Sequence, residues 1–206
     1  MTVHAGDTLG QNPVPIDAGA HTAPGVPGLM ERLEDAGSLD ATAEALWEVL
    51  PDWVVTGWGR QLLGGTWLGH SLHPLLTDFP LGCWSSATLL DLLGGERYAD
   101  AARRLVGLGL AASLPTAAAG LSDWSRLEER DRRVGLVHAQ LNTLALVLYG
   151  ASYVARRRRG SGVAVGVLGS LAAVASGYLG GHLTTTRAVT RDNRLLDAPV
   201  SITTTP

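Results

Sequence analysis

Long apolar runs dominate the second two thirds of the chain. Each is about 18 residues or longer, the length an α-helix needs to cross a hydrocarbon core of about 30 Å. Three carry no charged residue, and the first is interrupted only by Asp78 and Asp91. The runs cover residues 72–93, 105–122, 134–155 and 160–186. Because short segments join them, the pattern predicts an all-α fold, a four-helix transmembrane bundle of up-down connectivity over residues 70–186.

The segments on either side of these runs are more polar. Residues 1–28 lack an apolar period, a basic n-region and an apolar h-region, which predicts a disordered tail without a secretory signal. Residues 29–53 show the helical spacing of an amphipathic helix that Pro51 ends. We expect a membrane-adjacent helix and a Trp-rich interfacial collar over 29–69, with a small soluble helix as the alternative, and a C-terminal tail over 187–206. The collar tryptophans are Trp47, Trp53, Trp58 and Trp67.

Composition narrows the function classes. The single cysteine, Cys83, excludes an intramolecular disulfide framework and any multi-cysteine metal site built by this chain alone. The net charge of -3 and the lack of a basic stripe exclude a nucleic-acid footprint. We find no hydrolase motif and no phosphate loop, so we expect no independent catalytic activity. The use of arginine for every basic residue suggests a bacterial source.

The distribution of arginine bears on orientation. Side A denotes the membrane face with the N-terminus, the connection between the second and third runs, and the C-terminus; side B is the opposite face. Arginine is almost equally frequent on both sides, but the run at 156–159 on side B is undiluted by acidic residues. This favours side B as cytoplasmic, and both termini outside, in a bacterial cytoplasmic membrane.

Four of the six histidines fall near side A, and they are the candidate site residues. His4 and His21 lie in the tail and are expected to be inert. His70 and His73 precede and begin the first run, His138 is about one turn inside the third, and His182 is about one turn from the end of the fourth. The acidic and amide side chains of the same leaflet are Asp78, Asp123, Gln140 and Asn142. Polar groups inside a span usually face the bundle interior and mark a function.

Two kinds of cofactor suit such a cluster. The imidazoles of His70, His73, His138 and His182, with Asp78 predicted to face inwards, could hold a single transition-metal ion. Alternatively, two imidazoles could be the axial ligands of a b-type haem, and His138 and His182 are the best helix-borne pair. Pro74 suits the first helical position, which makes His73 the predicted N-cap. The alternative without a cofactor is that these residues reach water or cap helices.

The motif spacing also supports a resemblance. Residues 65–95, GTWLGHSLHPLLTDFPLGCWSSATLLDLLGG, and residues 178–183, YLGGHL, resemble a bacterial family of uncharacterised four-span membrane domains. The resemblance covers roughly residues 39–190 and implies the fold. Members are often joined to a Rieske iron–sulfur domain, but residues 187–206 hold no cysteine or histidine, so we expect any such partner to be a separate polypeptide. The matching positions are Gly69, His70, His73, Pro74, Asp78, Pro80, Gly82, Asp91, Gly180, Gly181 and His182.

Three functions follow as hypotheses. The first is a membrane redox component that binds haem b or a metal at the side A histidines and exchanges electrons with a quinone or a Rieske-type partner. The second is a cofactor-free structural or accessory membrane protein. The third is a small transporter or proton path that uses Asp78 and the histidines. The lipid bilayer is the expected partner in all three, and a homo-oligomer is compatible with each.

Overall fold

The computed structural model describes residues 26–158 and 162–186, and this part of the chain is helical without strands. Within it, three helical segments are long and apolar enough to cross a membrane: Leu72–Trp124, Glu129–Ala155 and Val163–Thr184. An all-α membrane protein is therefore confirmed. The predicted tail 1–28, which contains His4 and His21, lies largely outside the described residues, and the predicted tail 187–206 lies wholly outside them. Arg159, in the segment between α7 and α8, is also outside the described residues.

Eight α-helices follow one another along the described chain. Four short helices precede the apolar part: α1 Val26–Glu34, α2 Asp40–Glu48, α3 Asp52–Val55 and α4 Gly57–Leu63. Four long helices make up the apolar part: α5 Leu72–Gly94, α6 Ala99–Trp124, α7 Glu129–Ala155 and α8 Val163–Gly181. Residues 182–186 continue α8 as a π-helical turn.

The first of the three apolar segments contains two helices. A 3₁₀ turn, Gly95–Tyr98, separates α5 from α6, and Gly95 has a φ of 52°, which favours glycine. The two helices then pack along each other, as do α7 and α8. Each pair is therefore a helical hairpin, one joined at residues 95–98 and the other near residue 162.

The predicted helix over residues 29–53 is broken in the structure. α1 ends at Glu34 and α2 begins at Asp40. The Arg133 guanidinium of α7 lies at this break: its Nη1 donates to the Glu34 carbonyl oxygen at 2.7 Å, and its Nε and Nη2 donate to the Asp40 carboxylate at 2.6 and 2.7 Å. One arginine thus satisfies a carbonyl at the end of α1 and pairs with an acid in the first turn of α2. The break docks the N-terminal helices on α7.

This docking contact should depend on pH. The hydrogen bonds from Arg133 hold the pKa of the Asp40 carboxyl below its usual range. A carboxyl with a depressed pKa stabilises the fold above its unfolded pKa, and the contribution is lost as pH falls through the folded pKa. We expect the protection factors of the α2 amides, which correct exchange for its intrinsic pH dependence, to fall progressively as the pH drops below about 4, because the contribution of the Asp40 carboxylate is then lost. Asp40→Asn should exchange faster than wild type at pH 6 and match it in acid; a constant difference between the two proteins would contradict this role.

The two buried tryptophans lie at different levels of the bundle. Trp84 of α5 stacks on Tyr149 of α7, with ring centroids 4.2 Å apart, between the two hairpins. Trp124, at the end of α6, packs against Trp47 of α2 with centroids 6.3 Å apart. Trp47 therefore belongs to the contact between α2 and the bundle although it is partly exposed, and the other collar tryptophans are more exposed.

The outer face of the long helices is apolar. Large side chains there are exposed in the isolated chain, which is the reverse of a water-soluble bundle and suits a lipid environment. Examples from all four helices are Leu75, Phe79, Leu92, Leu108, Leu114, Val147, Val154, Leu171 and Val174.

A buried ion pair lies at the opposite end from α2. Arg156 Nη1 donates to Asp91 Oδ1 at 2.8 Å, and Arg156 Nε donates to Ser152 Oγ at 3.1 Å. The Arg156 and Asp91 side chains are 5% and 6% exposed. This pair joins the end of α5 to the residue that follows α7.

Candidate functional site

His73 is fixed inside the bundle by the neighbouring helix. It lies in the first turn of α5, whose N-cap is Ser71 and not His73 as predicted. Its Nδ1 donates to the Thr116 carbonyl oxygen of α6 at 2.9 Å. The ring lies against Gly120, where an added Cβ would stand 2.8 Å from Cε1. A glycine is therefore needed at 120 for the imidazole to approach α6.

His138 of α7 has the same relationship to α8. Its Nδ1 donates to the Ser176 carbonyl oxygen at 2.8 Å, and a Cβ on Gly180 would stand 3.0 Å from its Cε1. Its other nitrogen is also occupied: the Asn142 side-chain Nδ2 donates to His138 Nε2 at 3.0 Å. Both ring nitrogens of His138 are therefore hydrogen-bonded by the protein.

These hydrogen bonds determine the tautomer of both rings. A carbonyl oxygen can only accept, so each Nδ1 carries a proton, and in the neutral ring the lone pair is then on Nε2. This is the form in which imidazole binds a metal, with the other nitrogen oriented by a carbonyl. The rings of His73 and His138 are edge to face, with centroids 6.1 Å apart. His73 and His138 together therefore form the candidate site.

A cavity of about 300 Å³ adjoins both imidazoles, and a smaller one of about 80 Å³ continues towards Trp84. The walls of both cavities are mainly apolar, with hydroxyl and amide groups between the apolar side chains. At the mouth, beside the start of α5 and the end of α6, the Ser71 hydroxyl donates to the Asp123 carboxylate, which also pairs with Arg126. Besides the two histidines, the polar lining residues are Ser71, Thr77, Ser113, Thr116, Asp123, Asn142, Thr143 and Thr184.

Comparison with known families agrees with this description. The profile of a family described as "Predicted membrane protein (DUF2231)" matches residues 69–193, more than half of the chain. The chain belongs to the DUF2231 family. This confirms the resemblance to an uncharacterised membrane family. No curated protein and no solved structure matches the chain.

The motif residues on which the resemblance rests divide between the cavity and the surface. His73 and Pro80 line the cavity, whereas His70 is exposed and its Nδ1 lies 3.0 Å from the Ser71 carbonyl oxygen. His182 lies with the N-terminal helices: its Nε2 is 3.0 Å from Glu34 Oε1. Of the four predicted histidines, the structure therefore brings His73 and His138 together and places His70 and His182 elsewhere. In the described ranges, no three His, Cys, Asp or Glu side chains form a metal-binding group.

Asp78 also lies elsewhere than predicted. Its side chain is exposed on the outer face of α5, beside the exposed Phe79. The prediction counted one helical turn from Pro74, which is exposed and also lines the cavity of about 300 Å³, whereas Asp78 is exposed and lines neither cavity. The inner face of α5 contains His73, Thr77 and Trp84. Asp78 is therefore not a ligand candidate of this DUF2231 cavity.

Several residues of the site were not predicted from the sequence. Two of them accept a histidine hydrogen bond with a backbone carbonyl, which any residue could offer. A glycine leaves room for a histidine ring, and that need is set by the neighbouring helix. One signal was available, because a hydroxyl residue precedes a glycine by four positions in both α6 and α8. The residues are Thr77, Thr116, Gly120 and Ser176.

Proposed function

We propose that the four long helices of this DUF2231 protein each cross the membrane, as an up-down four-helix bundle. The segment Leu72–Trp124 has 53 residues. A continuous helix of that length would extend about 80 Å, far beyond the hydrocarbon core of about 30 Å. The turn at Gly95 and the packing of α5 along α6 support two crossings. Four crossings place both ends of the chain on side A, and Arg156–Arg158 favour side B as cytoplasmic.

We further propose that the protein is a membrane redox component, and that His73 and His138 hold a b-type haem or a single transition-metal ion. One observation carries this proposal: two imidazoles on different helices, each with Nδ1 bonded to a carbonyl, lie 6.1 Å apart inside an apolar bundle. Ionisable side chains in such a place are costly and are usually functional. A bound haem or metal would supply one-electron chemistry that these side chains lack.

The residues present fit the two cofactors differently. A haem would take its two protein ligands from the imidazoles of His73 and His138. A bare metal ion needs further ligands, which in this cavity would be water or a group of a partner. The cavity of about 300 Å³ has room for an ion with its water ligands, whereas a macrocycle requires α5 and α7 to separate at side A. In both cases Asn142 must release His138 Nε2 before that nitrogen can bind.

The partner expected on this proposal is a quinone or a separate Rieske-type protein that docks at side A. The position of the cavity supports docking at side A, because its mouth contains Ser71 at the start of α5 and Asp123 at the end of α6.

A cofactor-free accessory protein is the second candidate. It is favoured by the full hydrogen bonding of His138, whose ring nitrogens already have protein partners. In that case the two histidines only tie α5 to α6 and α7 to α8. The proton-path hypothesis loses support, because Asp78 is exposed away from the cavity.

Optical spectra of the purified chain test these proposals. We expect the detergent-solubilised protein from haem-sufficient cells to show a Soret band that sharpens with dithionite, or stoichiometric Fe or Cu by metal analysis. His73→Ala and His138→Ala should each lose the signal, because each removes one of two ligands. His70→Ala and His182→Ala are matched controls and should retain it. A wild-type protein with neither signal would overturn the redox proposal and favour the accessory one.

A further inference from the structure

The two hairpins repeat the same contacts at the same spacing. In each, a histidine on the first helix donates from Nδ1 to the carbonyl of a hydroxyl residue on the second: His73 to Thr116 and His138 to Ser176. In each, the histidine ring lies against the glycine four positions after that hydroxyl residue. Two unrelated hairpins would have no reason to share both features.

The repeat continues deeper in the bundle. Eleven positions after each histidine is a buried aromatic residue, Trp84 in α5 and Tyr149 in α7. Each aromatic ring lies against a glycine of its own hairpin, and each glycine is seven positions before the hydroxyl residue. These are Gly109, whose added Cβ would stand 2.3 Å from Trp84 Nε1, and Gly169, whose Cβ would stand 3.1 Å from Tyr149 Cδ2.

Equivalent residues of the two hairpins also contact each other. The histidine rings are 6.1 Å apart, and the Trp84 and Tyr149 rings stack at 4.2 Å. Eighteen positions after each histidine are the two members of the buried ion pair, Asp91 and Arg156. A residue can touch its own equivalent only near a symmetry axis. Three such pairs, spread over about 27 Å of helix rise, define an axis that runs along the bundle.

One equivalent pair of polar residues departs from the symmetry at the site. Four positions after His138 is Asn142, which caps His138 Nε2; four positions after His73 is Thr77. The Thr77 hydroxyl instead donates to the His73 carbonyl oxygen of its own helix at 2.8 Å. Among the described residues, no side chain bonds His73 Nε2, and His73 lines the cavity. The two imidazoles are equivalent in position and unequal in availability.

We propose that the cavity is a two-fold site made by two equivalent helical hairpins, in which His73 Nε2 is the open ligand for a transition-metal centre and Asn142 withholds its equivalent, His138. The ligand class rests on the proposed redox function, whereas the two-fold arrangement does not. His73 Nε2 would hold the metal centre first, and His138 Nε2 would become available to it when the Asn142 amide turns away. Asn142 is thus a positioning residue that sets how strongly the second ligand binds.

Exchanging the residue of one hairpin into the other tests the site. The probe is Co²⁺, titrated into the full-length chain in detergent and followed by its visible absorption. Asn142→Thr should bind Co²⁺ about fivefold or more tightly than wild type, because one hydrogen bond to Nε2 no longer competes. Thr77→Asn should weaken binding by a similar factor, since it places an amide where it can cap His73 Nε2. Gln140→Thr, on the exposed side of α7, is the matched control and should leave affinity unchanged.

The outcomes separate the two parts of the proposal. Weaker binding by Asn142→Thr, or unchanged binding by both exchanged variants, would overturn the role of Asn142. If neither Co²⁺ nor a native cofactor binds wild type, the proposed function and the ligand class fail together.

The two-fold arrangement has its own test. Thermal unfolding of Tyr149→Trp, Trp84→Tyr and the double exchange does not depend on any ligand. We expect the double variant to unfold at a higher temperature than Tyr149→Trp alone. In the double variant one indole and one phenol ring again stack on each other at the axis, whereas Tyr149→Trp alone places two indoles there. Strictly additive losses would overturn the symmetry.

Discussion

Replacing Asp91 with alanine is expected to lower the free energy of unfolding by about 3 to 5 kcal/mol, because it leaves the buried Arg156 guanidinium without its carboxylate. Arg156 is 5% exposed, and two of its guanidinium nitrogens donate to Asp91, with Nη1 to Oδ1 at 2.8 Å. The Ser152 hydroxyl remains as a partner of Nε, but it carries no compensating charge. In a membrane, water cannot easily replace the lost partner, which adds to the penalty.

Unfolding in mixed micelles with increasing denaturing detergent measures this loss. Asp100→Ala, an exposed acid at the same end of the bundle, is the matched control and should change stability little. Asp91→Ala combined with Arg156→Ala should cost less than the sum of the two single changes, since the double variant leaves no unpaired charge. Equal losses for Asp91→Ala and Asp100→Ala would show that the ion pair contributes nothing specific.

Gly109→Ala is expected to destabilise the bundle by about 1 to 3 kcal/mol, although alanine is the better helix former. The added methyl group would lie 2.3 Å from Trp84 Nε1 and 2.6 Å from Cδ1, so the indole must move. Trp84 cannot move freely, because its other face stacks on Tyr149. The change therefore disturbs the contact between the two hairpins.

Gly150→Ala is the matched control for this prediction. It is also a helical glycine in the long-helix region, but a Cβ there meets nothing within 4 Å. We expect Gly150→Ala to be neutral or slightly stabilising, and Gly109→Ala to be less stable and to have altered tryptophan fluorescence. If both variants behave alike, helix propensity and not the contact with Trp84 controls position 109.

The apolar pattern was sufficient to predict that this is a membrane protein and where its long helices lie along the chain. Run length and hydrophobicity are properties of consecutive residues, so the predicted first run, 72–93, and α5, Leu72–Gly94, nearly coincide. The motif around His73 and Pro74 was also sufficient for the family. The contact of Arg133 with both sides of the break between α1 and α2 could not be predicted, because Arg133 lies far away in sequence.

The sequence by itself determined which polar residues lie near one end of the long helices, and the tertiary structure decided which of them meet. The position of a residue along a helix follows from counting residues, so all four histidines could be placed near the same end. Which side of the helix each occupies depends on how the helix is rotated in the bundle, and no residue count supplies that rotation. Packing turned His73 and His138 towards one axis, left Asp78 on the outer face of α5, and placed His182 beside Glu34. The candidate site is consequently a property of how two similar hairpins pack together.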